Sequence, residues 1–561
     1  MACRIFDKML QSHKRSTAVS SEMCNEELRD LHGSGERNSN HPLRFSTTAI
    51  FGEDEMAKDM INHERTMSVG YMLKHYRRAM FWVAFLAAPI FIEGYATALL
   101  SSFFSYGPFI KKFGHQESGQ IEYTISISTP WKTGITIASA CGQLIGLWMA
   151  PVVTYVIGYR LCRNAGLVIA SFSTLLLLWS SDAGNPLALF LVSQLFLGIP
   201  WGLFQAIILP YISDITPLRL RAPASAVISM FWLAGQFLTA VVLREARQFQ
   251  NSAWRLATPI LVQSTLLIPI MCIPCRPPES PLYLAQEDSD DEAKQTLRYL
   301  HRYPTFCPDT ALAALKAVDV HEEETSNRPG LLSCFRGVNL RRTEIAVMVS
   351  VTQQCVGMPL ITYPLQLLQK DGLSSEHALC VTVGLLALFL MSTFCSMLAM
   401  RFIGRRTLWL AGLSIEAASL VALGGLALYA EHGPPKNIST ITGYLTVMLA
   451  MAYHSTTGPV CYAIVAETPA TRLKTETNTL ARAAYILLSL VNVYLVPQLL
   501  QIGPGGWNIG LRAAFVWAGT ATGCLVWAWF RLPEMKDRSP AEIDVLFEHN
   551  VAARQWGDAT F

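Results

Sequence analysis

Twelve apolar runs, each near the ~20 residues that a helix needs to cross a bilayer, set what this chain can become. They lie at 80–105, 132–156, 164–181, 186–213, 223–243, 255–274, 344–368, 377–400, 407–429, 440–466, 478–500 and 510–530. Of the 561 residues, 51% are hydrophobic and 15% charged, where a soluble chain carries about 25% charged residues. The expected fold class is an all-α polytopic membrane protein with twelve transmembrane helices. Glycine and proline inside several runs agree with this, because membrane helices tolerate both. The first run begins near Met80 and is too long for the apolar region of a signal peptide.

A polar stretch from Arg276 to Arg342 divides the runs six and six. The expected organisation has five parts: a disordered cytosolic tail at 1–70, polar and without periodicity; a six-helix half at 71–274; a cytosolic central loop at 275–343; a second six-helix half at 344–532; and a cytosolic tail at 533–561. Loop charge supplies the orientation. Lys74, Arg77 and Arg78 precede the first run, and Arg160 with Arg163, Arg219 with Arg221, Arg405 with Arg406, and Arg472 with Lys474 fall on the same side. The positive-inside rule then puts both termini in the cytosol, although Lys111, Lys112, Arg244 and Arg247 lie opposite. Asn437-Ile438-Ser439 is a glycosylation sequon in an expected outer loop.

The halves repeat a pattern. Gly158-Tyr159-Arg160 matches Gly404-Arg405-Arg406, Asp214 to Pro217 matches Glu467 to Pro469, and Pro278-Glu279-Ser280 matches Pro533-Glu534-Met535. The offsets are 246 (404 − 158), 253 (467 − 214) and 255 (533 − 278) residues. Near-constant spacing implies duplication, with a site between the halves near the bilayer midplane. The densest stretch runs from Gly198 to Gln236. It is a glycine-rich membrane helix, a charged turn with Asp214 and Arg221, and a second helix. Gln205 and Gln236 are amides inside these helices, where a polar group is costly and so has a task. The thirteen cysteines are scattered, with neither zinc-ligand spacing nor a disulfide framework. No phosphate-binding loop, nucleotide-binding module or metal-ligand cluster is legible, so no enzyme, cofactor, metal or nucleic-acid role is expected.

These motifs resemble the sugar porters of the major facilitator superfamily. Within it they look most like the fungal α-glucoside (maltose) permeases, through Glu93-Gly94-Tyr95, Gly198-Ile199-Pro200-Trp201-Gly202-Leu203-Phe204-Gln205, Arg341-Arg342-Thr343-Glu344 and the tail Glu542 to Glu548. The resemblance runs from about 75 to 555 and implies the major facilitator fold, with a sugar or glycoside and protons as partners in the lipid bilayer of the plasma membrane. It implies sugar contacts by Gln236, Gln353 and Gln354, with Tyr462 as the aromatic platform. It implies an inner gate of salt bridges among Arg160, Asp214, Arg221, Arg405, Arg406 and Glu467. Proton coupling would fall to Glu93 and Arg482, because Ala96 and Gln143 stand where the resembled permeases carry carboxylates. Those two substitutions keep an uncoupled facilitator open beside a symporter. A permease for another metabolite and a non-transporting sugar sensor are the further alternatives. Glu416 is expected to be a packing contact, and His454 a packed or cavity-lining side chain.

Overall fold

The computed structural model describes residues 64–116, 125–180, 184–249, 252–272, 277–301, 306–325, 330–358, 360, 375–430, 438–500, 507 and 509–560. Asn437 and most of the 1–70 tail lie outside them. The first half consists of α1 (Arg77–Phe103), α2 (Thr129–Trp179), α3 (Pro186–Ile215), α4 (Leu218–Ala246) and α5 (Ser252–Cys272). At 51 residues, α2 holds two spans. They join at Gly158, whose φ of 76° is a left-handed conformation that glycine alone adopts at no steric cost. The second half has α9 (Gly337–Cys355), α10 (Ser375–Phe402), α11 (Arg405–Ala430), α12 (Ile438–Ser455), α13 (Thr457–Glu467), α14 (Lys474–Leu500) and α15 (Ala514–Arg531). There α12 and α13 form one span, broken at Thr456. The fold is thus the expected twelve-span bundle in two six-helix halves. Its β-structure among the described residues is a two-residue pairing of His115–Gln116 with Ile125–Ser126.

Small residues bring the helices together. A Cβ on Gly94 of α1 would lie 2.0 Å from the Trp232 carbonyl oxygen, and one on Gly235 of α4 would lie 2.0 Å from that of Phe91. Gly146 and Gly202 make the same backbone-to-backbone approach between the first span of α2 and α3. The outer faces stay apolar: Val152, Tyr155, Val156, Val168, Phe172 and Trp179 of α2 are exposed, as a lipid-facing surface requires. The halves meet where α4 packs on α10 and α13, and where α14 packs on α2 and α3.

The repeat has a structural cause. After Gly158 the chain starts a new span, and the Glu279 carboxylate accepts from the backbone N–H of Tyr159 (3.1 Å) and of Arg160 (3.3 Å). In the second half Glu534 accepts from the N–H of Arg405 (2.9 Å) and of Arg406 (3.1 Å). Each glutamate satisfies helix-initiating donors and places a negative charge at the positive end of the helix dipole.

The stretch expected as a polar central loop contains three helices, α6 (Pro281–Gln286), α7 (Asp290–Leu300) and α8 (Pro308–Thr325). Leu284, Ala293, Leu297, Ala311 and Leu312 give them a small core of their own. Apolar residues at helical spacing outweigh the high charge. The charges also suit a helix: Asp290, Asp291 and Glu292 open α7, and Arg298 sits in its last turn. A final helix, α16 (Pro540–Glu548), begins with a capping box made by Ser539 and Glu542. It docks through the buried Arg342–Asp544 pair (2.6 Å) and through His321–Glu548 (3.1 Å).

Candidate functional site

Between the halves lies a cavity of about 370 Å³, within the ~300–1,000 Å³ typical of small-molecule sites. Its wall is rich in amides and aromatics. The second half contributes Gln353 and Gln354 from α9, Tyr453 and His454 from α12, Tyr462 from α13, and Arg482 and Tyr485 from α14. The first half contributes Glu93, Gln143, Gln194, Trp201, Gln205 and Trp232. An amide both donates and accepts, as does a hydroxyl, so this wall suits a polyhydroxylated ligand. Gln353 is itself held, its Nε2 donating to the Gly458 carbonyl at 3.2 Å. Asn492 Nδ2 donates to Gln354 Oε1 at 3.2 Å. The guanidinium of Arg482 lies over the ring of Tyr485 at 4.5 Å and that of Tyr462 at 5.6 Å, within cation–π range.

Of the residues expected to touch the ligand, the cavity gathers Gln353, Gln354 and Tyr462. Gln236 is not among its lining residues; α4 presents Ser229 and Trp232 instead. The cause is the tight crossing of α1 and α4 at Gly94 and Gly235, which turns the earlier turns of α4 toward the space. Ala96 and Gln143, the two positions whose residues left coupling open in the sequence, both face the cavity.

Glu93 and Arg482, the expected coupling residues, are connected indirectly. Glu93 is 2% exposed and accepts from Gln205 Nε2. Arg482 Nε on the other half donates to Gln205 Oε1 at 3.0 Å. One amide therefore bridges a carboxylate and a guanidinium. The sequence marks all three polar groups inside apolar runs, whereas the bridge between them needed the fold. Glu416 accepts from Thr457 Oγ1 at the first turn of α13, a contact from α11 to the residue just past the break in that span.

The gate candidates divide. Asp214 reaches across the halves to Lys474 Nζ at 2.7 Å and accepts from Ser280 Oγ at 2.8 Å. Arg405 pairs with Glu467 at 2.9 Å inside the second half. Arg160 and Arg406 lend their backbone N–H groups to Glu279 and Glu534, and the Arg406 guanidinium donates to the Trp529 carbonyl at 2.8 Å. Arg221 Nε is buried without a hydrogen-bond partner among the described residues. Tyr159 and Thr475 hydroxyls add an inter-half contact at 2.8 Å. The central segment strengthens this face, because Asp319 of α8 takes Arg472 in a two-point pair at 2.7 and 2.7 Å. Glu322 accepts from the N–H of Thr471 at 2.6 Å. Lys474, Asp319 and Glu322 were not among the gate candidates. Lys474 was marked only as a loop charge, and the sequence signal for Asp319 and Glu322 was their i, i+3 spacing on one helix face.

The fold and this central cavity define a two-half membrane transporter that is closed on the face carrying Asp214 and Lys474. The family model described as Sugar (and other) transporter matches residues 80–547, and the chain belongs to that family. It is 30% identical over 518 residues to the alpha-glucosides permease MPH3 of Saccharomyces cerevisiae, covering 91% of this chain and 84% of that one. It is 30% identical over 507 residues to the maltose permease MAL31 of the same yeast, covering 89% and 80%. Among solved structures, the proton:xylose symporter XylE bound to 6-bromo-6-deoxy-D-glucose superposes with a TM-score of 0.70 at 21% identity, covering 84% of this chain and 99% of that one. The inward-open conformation of XylE from E. coli superposes with a TM-score of 0.57 at 19% identity, covering 83% and 98%.

Proposed function

We propose that this chain imports a sugar, an α-glucoside such as maltose or a hexose, by alternating access between its two halves, with protons coupled through Glu93. The observation that carries this reading is the amide- and aromatic-walled cavity between the halves, with Gln353, Gln354 and Tyr462 on one side and Glu93 and Trp232 on the other. The α-glucoside permeases among its relatives support the substrate class. Sugar hydroxyls bond the glutamines, and Tyr462 and Trp232 stack on the apolar ring faces. In this reading the halves span 71–274 and 344–532, the segment 275–343 and both termini are cytosolic, and the Asp214–Lys474 face is the inner gate of a plasma-membrane protein.

An uncoupled facilitator is the second reading, favoured by Ala96 and Gln143 on the cavity wall. Uptake of radiolabelled maltose and glucose into transporter-null yeast, with extracellular pH recorded, separates the two. Uptake with matching alkalinisation supports symport. Uptake without it, insensitive to an uncoupler, supports the facilitator. No uptake of either sugar by correctly localised protein overturns the substrate class.

A further inference from the structure

Helix α3 carries Pro210 in its interior. Proline has no N–H, so the carbonyl four residues earlier, on Ala206, lacks the donor a regular helix would give it. At membrane depth an unsatisfied carbonyl is expensive, and a neighbouring helix usually supplies a donor. Here the donor comes from the other half. Asn478 Nδ2 on α14 lies 2.8 Å from the Ala206 carbonyl oxygen and 2.8 Å from that of Gln205. Both partners are acceptors, so only the NH₂ end of the amide serves. Asn478 is 1% exposed. One turn along α14, Arg482 holds the Gln205 side chain.

These bonds lie between two spaces. On one side is the central cavity, lined by Gln205 and Arg482; on the other is a polar vestibule of about 270 Å³ lined by Asp214 and Lys474. We propose that Asn478 and the Ala206 carbonyl freed by Pro210 form a gate between cavity and vestibule, deeper than the Asp214–Lys474 pair. Asn478 is a positioning residue: it holds α14 against α3 while the face is shut. Opening breaks its bonds and admits water, which takes over the carbonyl. The carbonyl is satisfied in both states, so the contact switches without stranding a buried polar group. The Gln205 carbonyl, four residues before Leu209 and its N–H, does not depend on Asn478 in this way.

The inference rests on the alternating-access reading above, and its test uses no sugar. A Ser229→Cys variant places a thiol on the cavity wall. Labelling there by a membrane-impermeant maleimide is measured in sealed vesicles of each orientation, relative to the chain with Ser229. Asn478→Leu, close in shape but without donors, raises the labelling rate about fivefold from the face carrying Asp214 and not from the other. Pro210→Ala restores an N–H for Ala206 and raises labelling from the same face. The double variant exceeds the larger single effect by less than about twofold, because both changes act on one bond. Unchanged labelling in Asn478→Leu, or effects that multiply in the double variant, overturns the gate. If Asn478→Leu does not reach the membrane, Pro210→Ala decides alone, since alanine favours the helix, and no gain in labelling then rejects the proposal. Failure of maltose and glucose uptake with this labelling pattern intact would strike the substrate reading and leave the gate standing.

Discussion

At the scale of single residues, two charged contacts allow separate tests of the proposed transport. Glu93 is held by Gln205, and a glutamine at 93 still accepts from that amide while losing the capacity to carry a proton. Glu93→Gln is therefore expected to abolish sugar-driven alkalinisation and to retain sugar exchange across a de-energised membrane, measured as counterflow. The Asp214–Lys474 pair is buried, with side-chain exposures of 3% and 11%. Removing one partner of such a pair costs about 3–5 kcal/mol in the state that contains it. Asp214→Lys and Lys474→Asp should each lower uptake more than tenfold, and the swapped double variant should regain a large part of it. A double variant no better than either single one would show that Ser280, the other partner of Asp214, matters more than the charge pair. The sequence exposed the acid at the helix end but not its partner. Asp214 and Lys474 are 260 positions apart, and only the packing of α14 on α3 brings them together.

At the scale of helices, backbone proximity sets what can vary. A Cβ on Gly202 would lie 2.0 Å from the Gln143 carbonyl oxygen, whereas one on Gly425 of α11 meets nothing within 4 Å. Gly202→Val should destabilise by about 1–3 kcal/mol or more, because α2 and α3 must separate. Gly425→Ala should be neutral or stabilise by up to about 1 kcal/mol. Thermal unfolding of the purified protein in detergent checks both, and equal behaviour would refute the close approach. Apolar length announced most of the spans. The join inside α2 was legible too, since the apolar runs stop at 156 and resume at 164, whereas the break between α12 and α13 was not. Gly158 bends at a position marked by a loop motif, but Thr456 sits inside a continuous apolar run, at a point where Gly412 of α11 packs against it and Glu416 accepts from the next residue, Thr457.

At the scale of the whole molecule, the helices outside the bilayer tie the halves together. His321 of α8 bonds Glu548 of α16, with Asp544 and Glu322 near, and these carboxylates hold its imidazolium above the ordinary histidine range despite partial burial. Burial pushes Asp544, paired with Arg342, up to about 7. A histidine with a raised folded-state value contributes stability below its unfolded value and loses it as pH rises through the folded one. A buried acid with a raised value likewise opposes the folded state more as it ionises. Both signs agree, so α8 and α16 should separate more readily as pH rises from about 6 to 8. Hydrogen exchange of 308–325 should quicken over that range, and His321→Gln should flatten the response. Exchange that slows as pH rises, after correction for the intrinsic rate, would contradict this.

Apolar length and spacing along the chain set the class of fold. Spans near ~20 apolar residues have one stable solution in lipid, and a constant motif offset across the chain announces two related halves. The sequence also marked the polar groups that had to have partners, Gln205 and Glu93 among them, because polarity in an apolar helix is visible without coordinates. Tertiary structure decided who those partners are. It placed Gln205 between Glu93 and Arg482, put Trp232 and not Gln236 in the cavity, gave Asp214 its lysine, and folded the charged central segment onto the closed face. Such choices depend on helix rotation and crossing at contacts like Gly94–Gly235. Those are set by side-chain packing between distant segments, which no local pattern along the chain records.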